Sequence, residues 1–370
     1  MRPTDNEVSN APAEKRRNAI GAAAIAGAVL VVLAAVSGVT FLLLQPNDKP
    51  SYLVGVNIAG AEFGESVPGI AGQHYFYPDA ATIDYFASKG MNTIRLPVLW
   101  ERLQHQLGEN VDEAEMQRLD AVVNHATAKK LQIIIDIHNY AKYYNVSIGT
   151  RSVSRDALGH LWAQIAARYK DNDYVIFNLM NEPVGLPTET WLEAANIAIA
   201  QIRKSGASNL ILVPGNGWSS ARDWASTKYG TPNSKIMQNV ADPKNNYVYD
   251  VHQYFDHDFT GTHADCQSVD IGVQSLDEFT RWARQHKKQG FLGEFGAGAN
   301  PLCTRTLENV LKFLADNRDV WTGWAYWAAG AYWNRDYYTN IQPLDGRDRP
   351  QMAVLEKFIA PDAPKRDQKK

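Results

Sequence analysis

The sequence contains few cysteines and has no excess of positive charge. Two cysteines in 370 residues exclude a disulfide-dense small protein and a cysteine-rich zinc module. Lysine and arginine together number 37 against 40 aspartates and glutamates, a formal net charge of −3. Because a protein held to nucleic acid by electrostatic attraction carries a basic surface, the sequence predicts no nucleic-acid partner.

The composition that remains is typical of a globular protein. Hydrophobic residues make up 45% of the chain and charged residues 21%, which argues against general disorder. The length fits two or three domains of about 150 residues, or one (β/α)8 barrel, which takes roughly 200 to 400 residues. The 10 tryptophans and 17 tyrosines suit either sugar-stacking platforms or ordinary core packing.

The N-terminal segment differs from the rest of the chain. Its apolar run, Ala19–Leu44, follows three basic residues and is almost unbroken. About 20 apolar residues cross a membrane as a helix, which favours an uncleaved anchor. A cleaved signal is the alternative, with Ala35, Val36 and Ser37 as its cleavage site. The basic flank predicts that the N-terminus stays inside the cell and that the rest is exported.

These features divide the chain into five parts. They are a polar tail at 1–17, a transmembrane anchor or signal segment at 18–44, a linker at 45–51, a single domain at 52–360 and a polar, disordered tail at 361–370.

The domain alternates short β-rich runs with helical segments. Hydrophobic residues recur at helical spacing from Leu158 to Tyr169, from Leu192 to Ile202 and from Leu307 to Leu314. Such alternation predicts parallel strands with helical crossovers. The predicted strands are Leu53–Ile58, Met91–Val98, Leu131–Ile137, Tyr174–Met180, Leu210–Pro214, Tyr247–Tyr254, Phe291–Phe295 and Val320–Trp327.

Eight strands favour one closed (β/α)8 barrel. The predicted strand ends follow one another at intervals of 32 to 44 residues, which indicates one repeating unit. An open doubly wound sheet is the alternative, but it normally carries a glycine-rich phosphate turn after its first strand, and Gly60–Gly64 does not fit that pattern.

Several predicted strands begin apolar and end polar, which points to one shared site at their C-terminal ends. Glu182 and Glu294 follow the fourth and seventh strands. Pro183 disfavours the helical region for Glu182 and predicts an extended conformation there. Gly293 and Gly296 leave room beside Glu294 for close approach. A structural network of buried ion pairs is the alternative interpretation.

Two facing carboxyl groups suit the cleavage of a glycosidic bond. That reaction needs one protonated acid at the leaving oxygen and one ionised carboxylate at the sugar carbon. Arg95 and Tyr254 are the candidates for keeping Glu294 ionised, which leaves Glu182 as the proton carrier. Whether the products retain or invert their configuration depends on the carboxyl separation, which the sequence does not give.

The histidines at the strand ends also raise the possibility of a metal site. His138 and His252 end strands, and the loop after the sixth strand holds His257 and His263 among acidic residues at 256, 258 and 265. No HExxH or similar spacing is present, so we predict neither a catalytic metal nor another cofactor. Trp327 is the predicted sugar-stacking floor, with packing as its alternative. The weaker platform candidates are Trp100, Trp218 and Trp333.

In these residues the sequence resembles glycoside hydrolase family 5, the cellulase family, and its endo-β-1,4-glucanases in particular. The resemblance spans 52–358 and rests on eight blocks in family order. They are Gly55–Gly60, Arg95–Val98, Asp136–Tyr140, Asn181–Pro183, Asp250–Tyr254, Gly261–Cys266, Gly293–Phe295 and Trp327–Gly330.

The resemblance implies a retaining double displacement. Glu182 would be the acid/base and Glu294 the nucleophile. The residues implied in substrate binding or support are Arg95, His138, Asn181, His252, Tyr254 and Trp327. The resemblance also implies a disulfide between Cys266 and Cys303, with two free thiols as the alternative. We expect a monomer that acts on β-1,4-glucan.

Two other functions remain open at this point. Another β-glycanase, acting on mannan, xyloglucan or mixed-linkage glucan, would share the fold and the carboxyl pair. A non-catalytic sugar-binding barrel at the cell surface would share only the aromatic platforms.

Overall fold

The computed structural model describes residues 50–359. The predicted N-terminal tail, the anchor or signal segment, most of the linker and the C-terminal tail lie outside these residues. Between residues 50 and 359, none of the helices has both the length and the apolar character that crossing a membrane requires.

Eight parallel strands close into a barrel, which confirms the predicted fold. The first strand pairs with the second on one side and with the last on the other, and this closure excludes the open doubly wound sheet. The strands in chain order are β1 (Leu53–Ile58), β2 (Thr93–Val98), β3 (Gln132–Ile137), β4 (Lys142–Tyr143), β5 (Val146–Ser147), β6 (Val175–Asn178), β7 (Ile211–Pro214), β8 (Tyr247–His252), β9 (Gly290–Glu294) and β10 (Trp321–Ala329). The barrel order is β1-β10-β9-β8-β7-β6-β3-β2, and β4 and β5 form a separate hairpin.

Helices cover the outside of the barrel. They are α1 (Ala80–Ser88), α2 (Trp100–Leu103), α3 (Glu113–Ala128), α4 (Asp156–Tyr169), α5 (Thr188–Lys204), α6 (Asn233–Ile236), α7 (Ile271–Gln285), α8 (Pro301–Asp316) and α9 (Met352–Ile359). The connection from β7 to β8 departs from the pattern, because it holds only the single turn of α6 and a 3₁₀ turn, Met237–Asn239.

The interior of the barrel changes from apolar to polar along the strands. Its apolar floor consists of Leu53, Ile134, Ile176, Leu212, Val248, Phe291 and Ala325. Residues two apart on a strand share one face. The next inward positions above Ile134, Ile176 and Val248 are therefore Asp136, Asn178 and Asp250, all completely buried.

The loop between β8 and α7 is fixed to α8 by a disulfide. Cys266 pairs with Cys303, as the family resemblance implies. Asn300 caps α8 by accepting a hydrogen bond from the backbone N–H of Cys303 at 2.9 Å, and Pro301 begins the helix. This end of α8 is thereby tied to the C-terminal mouth of the barrel.

Candidate active site

Arg95 on β2 lies at the centre of the polar layer and is completely buried. Its Nη1 donates to Glu294 Oε1 and to Asn57 Oδ1, both at 2.7 Å, and its Nη2 donates to Asn181 Oδ1 at 2.8 Å. Nη2 also forms an ion pair with Asp136 at 3.1 Å. A buried guanidinium is stable only with such partners, so this network fixes Arg95 and aligns Glu294.

Asp250 on β8 fits beneath the site because Gly293 has no side chain. A Cβ atom at Gly293 would lie 2.0 Å from Asp250 Oδ1. Asp250 Oδ2 accepts from Asn178 Nδ2 at 2.8 Å and lies 3.2 Å from His252 Nε2. Asp250 therefore orients the imidazole two residues ahead of it on the same face of β8.

Glu182 does not adopt the predicted extended conformation. Its φ is +44°, in the left-handed region, and it lies four residues beyond the end of β6. Pro183 disfavours the right-handed helical region but leaves this one open. The flanking backbone is fixed on both sides, since Asn181 N donates to Ile137 O at 2.7 Å and Trp218 N donates to Pro183 O at 3.2 Å. These bonds select the conformation that points the Glu182 carboxylate at His252.

The carboxylates of Glu182 and Glu294 lie together at the mouth of the barrel. Glu182 Oε1 is 2.7 Å from His252 Nδ1, and Glu294 Oε2 is 3.6 Å from the same nitrogen. A carboxylate oxygen from each glutamate lies within 4.8 Å of the other. Tyr254 completes the arrangement by donating to Glu294 Oε2 at 3.0 Å. One sugar ring can therefore contact both carboxyl groups.

Their surroundings separate the pKa values of the two carboxyl groups. Burial alone would raise the pKa of Glu294, but the positive charges of His252 and Arg95 hold it below its ordinary value. Burial and the nearby charge of Glu294 raise the pKa of Glu182, and these outweigh the hydrogen bond from His252. The pKa shift of Glu294 thus favours the ionised form and that of Glu182 the protonated form, which is the division of roles that glycosidic cleavage requires.

His252 is placed to act as a charged partner. Burial opposes its protonation, but the negative charges of Glu294 and Asp250 raise its pKa to about 10. At neutral pH both ring nitrogens then carry protons, with Nδ1 donating to Glu182 and Nε2 to Asp250. The trio of Glu182, His252 and Glu294 is close enough to surround a metal ion. Both ring nitrogens of His252 are in hydrogen-bond contact, Nδ1 with Glu182 and Nε2 with Asp250, an arrangement that suits proton transfer.

A cavity of about 500 Å³ opens above the carboxyl pair, within the usual range for ligand sites. The rings of Trp327 and His138 are stacked, with their centres 5.7 Å apart. Trp327 Nε1 donates to Tyr337 OH at 3.2 Å. The aromatic side chains that line the cavity are Phe63, Tyr140, Trp218, Tyr229, Tyr254, Phe259, Trp327, Trp333 and Tyr337. A planar apolar wall with a few polar groups suits a sugar ring.

One predicted platform residue is placed elsewhere. Trp100 is completely buried at the start of α2, where it packs edge-on against Tyr143 at 5.1 Å. Trp100 is not among the residues that line the cavity, so this weaker platform candidate is not accessible to a sugar. Trp218, by contrast, is 44% exposed at the cavity edge.

Residues 54–330 match the model of the family described as Cellulase (glycosyl hydrolase family 5). The chain belongs to glycoside hydrolase family 5. It is therefore a glycoside hydrolase, and family membership excludes the alternative of a non-catalytic sugar-binding barrel.

Individual family 5 proteins resemble the chain over most of its length. Endo-beta-1,4-glucanase B of Aspergillus niger is 37% identical over 82% of this chain and 89% of its own length. An endo-beta-1,4-glucanase from Xanthomonas axonopodis pv. citri, solved with a triple mutation, is 47% identical with a TM-score of 0.82, covering 84% of this chain and 99% of its own. XacCel5A in complex with cellopentaose is also 47% identical with a TM-score of 0.82, covering 83% and 99%.

The family 5 barrel brings the predicted site residues to one place. Glu182, His138, His252, Tyr254, Glu294 and Trp327 line the cavity, and Arg95 and Asn181 lie just behind them in hydrogen-bond contact. Sequence reasoning misses Asp136 and Asp250 as site residues. Their spacing of two residues from His138 and His252 is the signal that could have found them.

Proposed function

We propose that this family 5 enzyme is an exported endo-β-1,4-glucanase that cleaves internal bonds of cellulose or a related β-glucan with retention of configuration. The observation that carries the proposal is the carboxyl pair beside one open cavity, in which the pKa of Glu294 is lowered and the pKa of Glu182 is raised.

Glu294 acts as the nucleophile in the first step. Its Oε2 attacks the anomeric carbon while Glu182 passes its proton to the glycosidic oxygen, so that the leaving sugar departs as an alcohol. Arg95 and Tyr254 hold the attacking carboxylate in line through bonds of 2.7 and 3.0 Å. The product of this step is a covalent glycosyl-enzyme.

Water completes the reaction in the second step. Glu182, now a carboxylate, takes a proton from the water that attacks the anomeric carbon, and Glu294 leaves. Two displacements restore the original configuration. One oxygen of Glu182 lies within 4.8 Å of one oxygen of Glu294. This is nearer to the carboxyl spacing of about 5 Å in retaining enzymes than to the spacing of roughly 6.5–9.5 Å in inverting ones.

The neighbouring side chains position the substrate. Asn181 binds the sugar 2-hydroxyl, supported by its contact with Arg95, and His138 and His252 line the cleavage subsite. Trp327 forms the floor against which the ring stacks. The names of the relatives, which include endo-beta-1,4-glucanases and a cellopentaose complex, support a β-1,4-glucan as the substrate and this chain as an endo-acting enzyme.

Substitution of the two glutamates tests the roles. Glu182→Gln and Glu294→Gln keep the side-chain volume, so each variant should fold with an unchanged Tm and lose several orders of magnitude in the release of reducing ends from carboxymethylcellulose. Glu65→Gln, at an exposed glutamate outside the cavity lining, is the matched control and should keep most of its activity. Near-normal rates in either glutamate variant would refute the assignment.

Azide separates the two roles. Glu182→Ala should still cleave an activated aryl cellobioside, and added azide should raise its turnover and give a β-glycosyl azide. Glu294→Ala should give no such product. An inverted first product from the native enzyme, observed by proton NMR, would overturn the covalent route.

The choice of glucan as substrate needs a separate comparison. Carboxymethylcellulose, glucomannan and xylan should be assayed side by side, with carboxymethylcellulose as the expected best polymer. A preference for glucomannan would instead favour another β-glycanase on the same barrel, because loops rather than the carboxyl pair set that preference.

Export is part of the same proposal. The disulfide between Cys266 and Cys303 is consistent with folding in an oxidising compartment. We expect the domain outside the cytoplasm as a monomer, either anchored through residues 19–44 or released after cleavage. N-terminal sequencing of the exported protein distinguishes the two, since a chain that starts near Gly38 would exclude the anchor.

A further inference from the structure

The loop between β8 and α7 carries a second group of metal-binding side chains, separate from the carboxyl pair. His257, Asp258 and His263 are exposed, and one ligand atom from each lies within 4.8 Å of the others. We propose that this group, with Asp265 beside it, binds one divalent transition-metal ion of the Zn²⁺ class. The loop thereby becomes a metal site at the edge of the catalytic cavity.

The spacing of the ligand atoms already suits a small ion. His257 Nδ1 lies 3.2 Å from both Asp265 oxygens, and His263 Nδ1 lies 3.5 Å from Asp258 Oδ1. Bonds of about 2.0–2.1 Å around a tetrahedral Zn²⁺ place neighbouring ligand atoms about 3.3 Å apart. Each histidine–carboxylate contact has about the length of one edge of such a tetrahedron. The ligand atoms of His257, Asp258 and His263 lie within 4.8 Å of one another and would draw together by side-chain rotation to close on an ion.

The chemistry of the donors selects the class of ion. The two imidazole rings face each other with their centres 4.3 Å apart, and the carboxylates of Asp258 and Asp265 lie beside them. Two imidazoles with carboxylate oxygens favour Zn²⁺, Ni²⁺ or Cu²⁺, whereas Ca²⁺ and Mg²⁺ prefer ligand sets made of oxygen alone.

The backbone under these side chains is held in place before any ion binds. Asp256 is 2% exposed, and its carboxylate accepts hydrogen bonds from the backbone N–H groups of Gly261, Thr262 and His263 at 3.0 to 3.2 Å. The guanidinium carbon of Arg222 lies 3.9 Å from the centre of the Phe259 ring. Because the loop is already ordered, little conformational entropy is lost when the ligands close on a metal.

The site also borders the catalytic cavity. Asp258 and the residues Thr260–Thr262 line it, and Gly261 packs so closely on the Tyr254 ring that a Cβ there would lie 2.5 Å from Tyr254 Cδ1. A bound ion would cross-link the two ends of this loop. We therefore expect it to raise the Tm of the protein, a readout that does not depend on the proposed reaction.

Titration of the full chain with ZnCl₂ at neutral pH, followed by calorimetry, tests the proposal. The wild type should bind in the micromolar range, and a hundredfold excess over Kd should raise its Tm by roughly 5 °C. His257→Ala and His263→Ala should lose this binding step, and Asp265→Asn should weaken it about 10- to 100-fold. The matched control is His105→Ala, because His105 is an equally exposed histidine 4.0 Å from Asp112.

All the variants keep the carboxyl pair with His252, so any Zn²⁺ binding at the active site is common to them and cancels in the comparison. Equal Zn²⁺ affinity and equal Tm increases in the wild type, His257→Ala and His263→Ala would overturn the proposal. So would the absence of saturable binding by the wild type. Should an alanine variant fold poorly, binding of Co²⁺ to the wild type gives a second measurement. A visible absorption band typical of tetrahedral Co²⁺, which disappears when Zn²⁺ is added, would support the site. The absence of such a band would refute it.

Discussion

Glu294 owes its charge to side chains that reach it from different strands. Arg95 from β2 and His252 from β8 supply positive charge, and Tyr254, just beyond β8, supplies a hydroxyl donor at 3.0 Å. Each of these lowers the pKa of Glu294 against the opposing effect of burial. The ionised state of the proposed nucleophile therefore depends on these three partners together with the positive charge of His138, and the contribution of each can be measured separately.

Tyr254→Phe removes the hydroxyl donor and should shift the acidic limb of the pH–activity profile to higher pH. Without this bond the pKa of Glu294 rises, so a smaller fraction of the carboxylate is ionised at a given acidic pH. A hydrogen bond to a charged group contributes roughly 1.5–3 kcal/mol, which predicts at least about a tenfold loss of kcat/KM at the acidic edge.

Tyr140→Phe is the matched control for this prediction. Tyr140 lines the same cavity, but its hydroxyl lies 3.4 Å from His138 Nε2 rather than on Glu294. The acidic limb should not move in this variant. Acidic limbs that coincide in wild type and Tyr254→Phe would show that the hydroxyl does not control the charge of Glu294.

Glu62 is a buried carboxyl that the proposed reaction does not use. It is 6% exposed, its Oε2 accepts from the backbone N–H of Gly60 at 2.7 Å, and its Oε1 has no partner among the described residues. Burial raises its pKa from 4.5 to about 7. In the folded protein Glu62 therefore stays protonated at pH values where the unfolded chain has already lost that proton.

Glu62→Gln should remove a pH dependence of stability. Between pH 4.5 and about 7 the folded state binds more protons than the unfolded state, so the free energy of unfolding falls as pH rises, by about 3 kcal/mol in total. The glutamine variant should lose this decrease and be the more stable protein at pH 8. Urea unfolding at pH 5 and pH 8 measures this change in the free energy of unfolding. The control is Glu65→Gln, at an exposed glutamate nearby in the sequence. A decrease of equal size in the Glu62→Gln protein would contradict the prediction.

At the scale of elements, hydrophobic spacing predicts the barrel well. Strand β1 occupies the predicted residues Leu53–Ile58, and the helical spacing from Leu158 to Tyr169 corresponds to α4, Asp156–Tyr169. These elements bury one continuous apolar face, and such faces leave a periodic signal in the sequence. Four other barrel strands begin one or two residues later than predicted, and β8 begins at Tyr247 as predicted but ends two residues earlier. Strand β9 begins one residue earlier than predicted, and β10 begins one later and extends to Ala329.

What the spacing does not predict is set by contacts between distant segments. The left-handed conformation of Glu182 depends on the hydrogen bonds that its two neighbours form with Ile137 and Trp218. Trp100 is buried against Tyr143, which follows β3 in the chain. The short hairpin of β4 and β5 has too few residues for a periodic pattern. For Glu182 and Trp100 the deciding partner is remote in sequence, so local propensity carries no signal.

The disulfide between Cys266 and Cys303 is a covalent link between a loop and a helix. It joins the β8–α7 loop to α8 across 37 residues of sequence, and closing a loop of that length stabilises the folded state by about 3–4 kcal/mol through chain entropy. The double variant Cys266→Ser, Cys303→Ser should unfold at correspondingly lower urea concentration. Reduction of the wild type should give the same decrease, whereas reduction of the double variant should change nothing. Equal midpoints for oxidised and reduced wild type would argue against the bridge in solution.

On the scale of the whole molecule, residues 50–359 contain the hydrogen bonds that close the barrel. Both edges of β1 are paired, and Leu53 completes the apolar floor to which six other strands contribute. Asn57, higher on the same strand, donates to Gly293 O at 2.8 Å and accepts from Arg95. The strand that closes the barrel thus also supports the carboxyl pair, which links the closure of the fold to activity.

Because of that link, a chain that starts at Pro50 should fold and act on its own. We expect one cooperative thermal transition and a kcat/KM on carboxymethylcellulose within about twofold of the full chain, since the barrel core, the ion-pair network and the disulfide are all kept. A chain that starts at Gly60 is the matched control. It lacks β1, leaves the edges of β2 and β10 unpaired and removes Asn57 from Arg95, so it should be insoluble or inactive. If the Pro50 chain failed as the Gly60 chain does, residues before the barrel would have to belong to its folding unit, and the domain boundary predicted at residue 52 would be wrong.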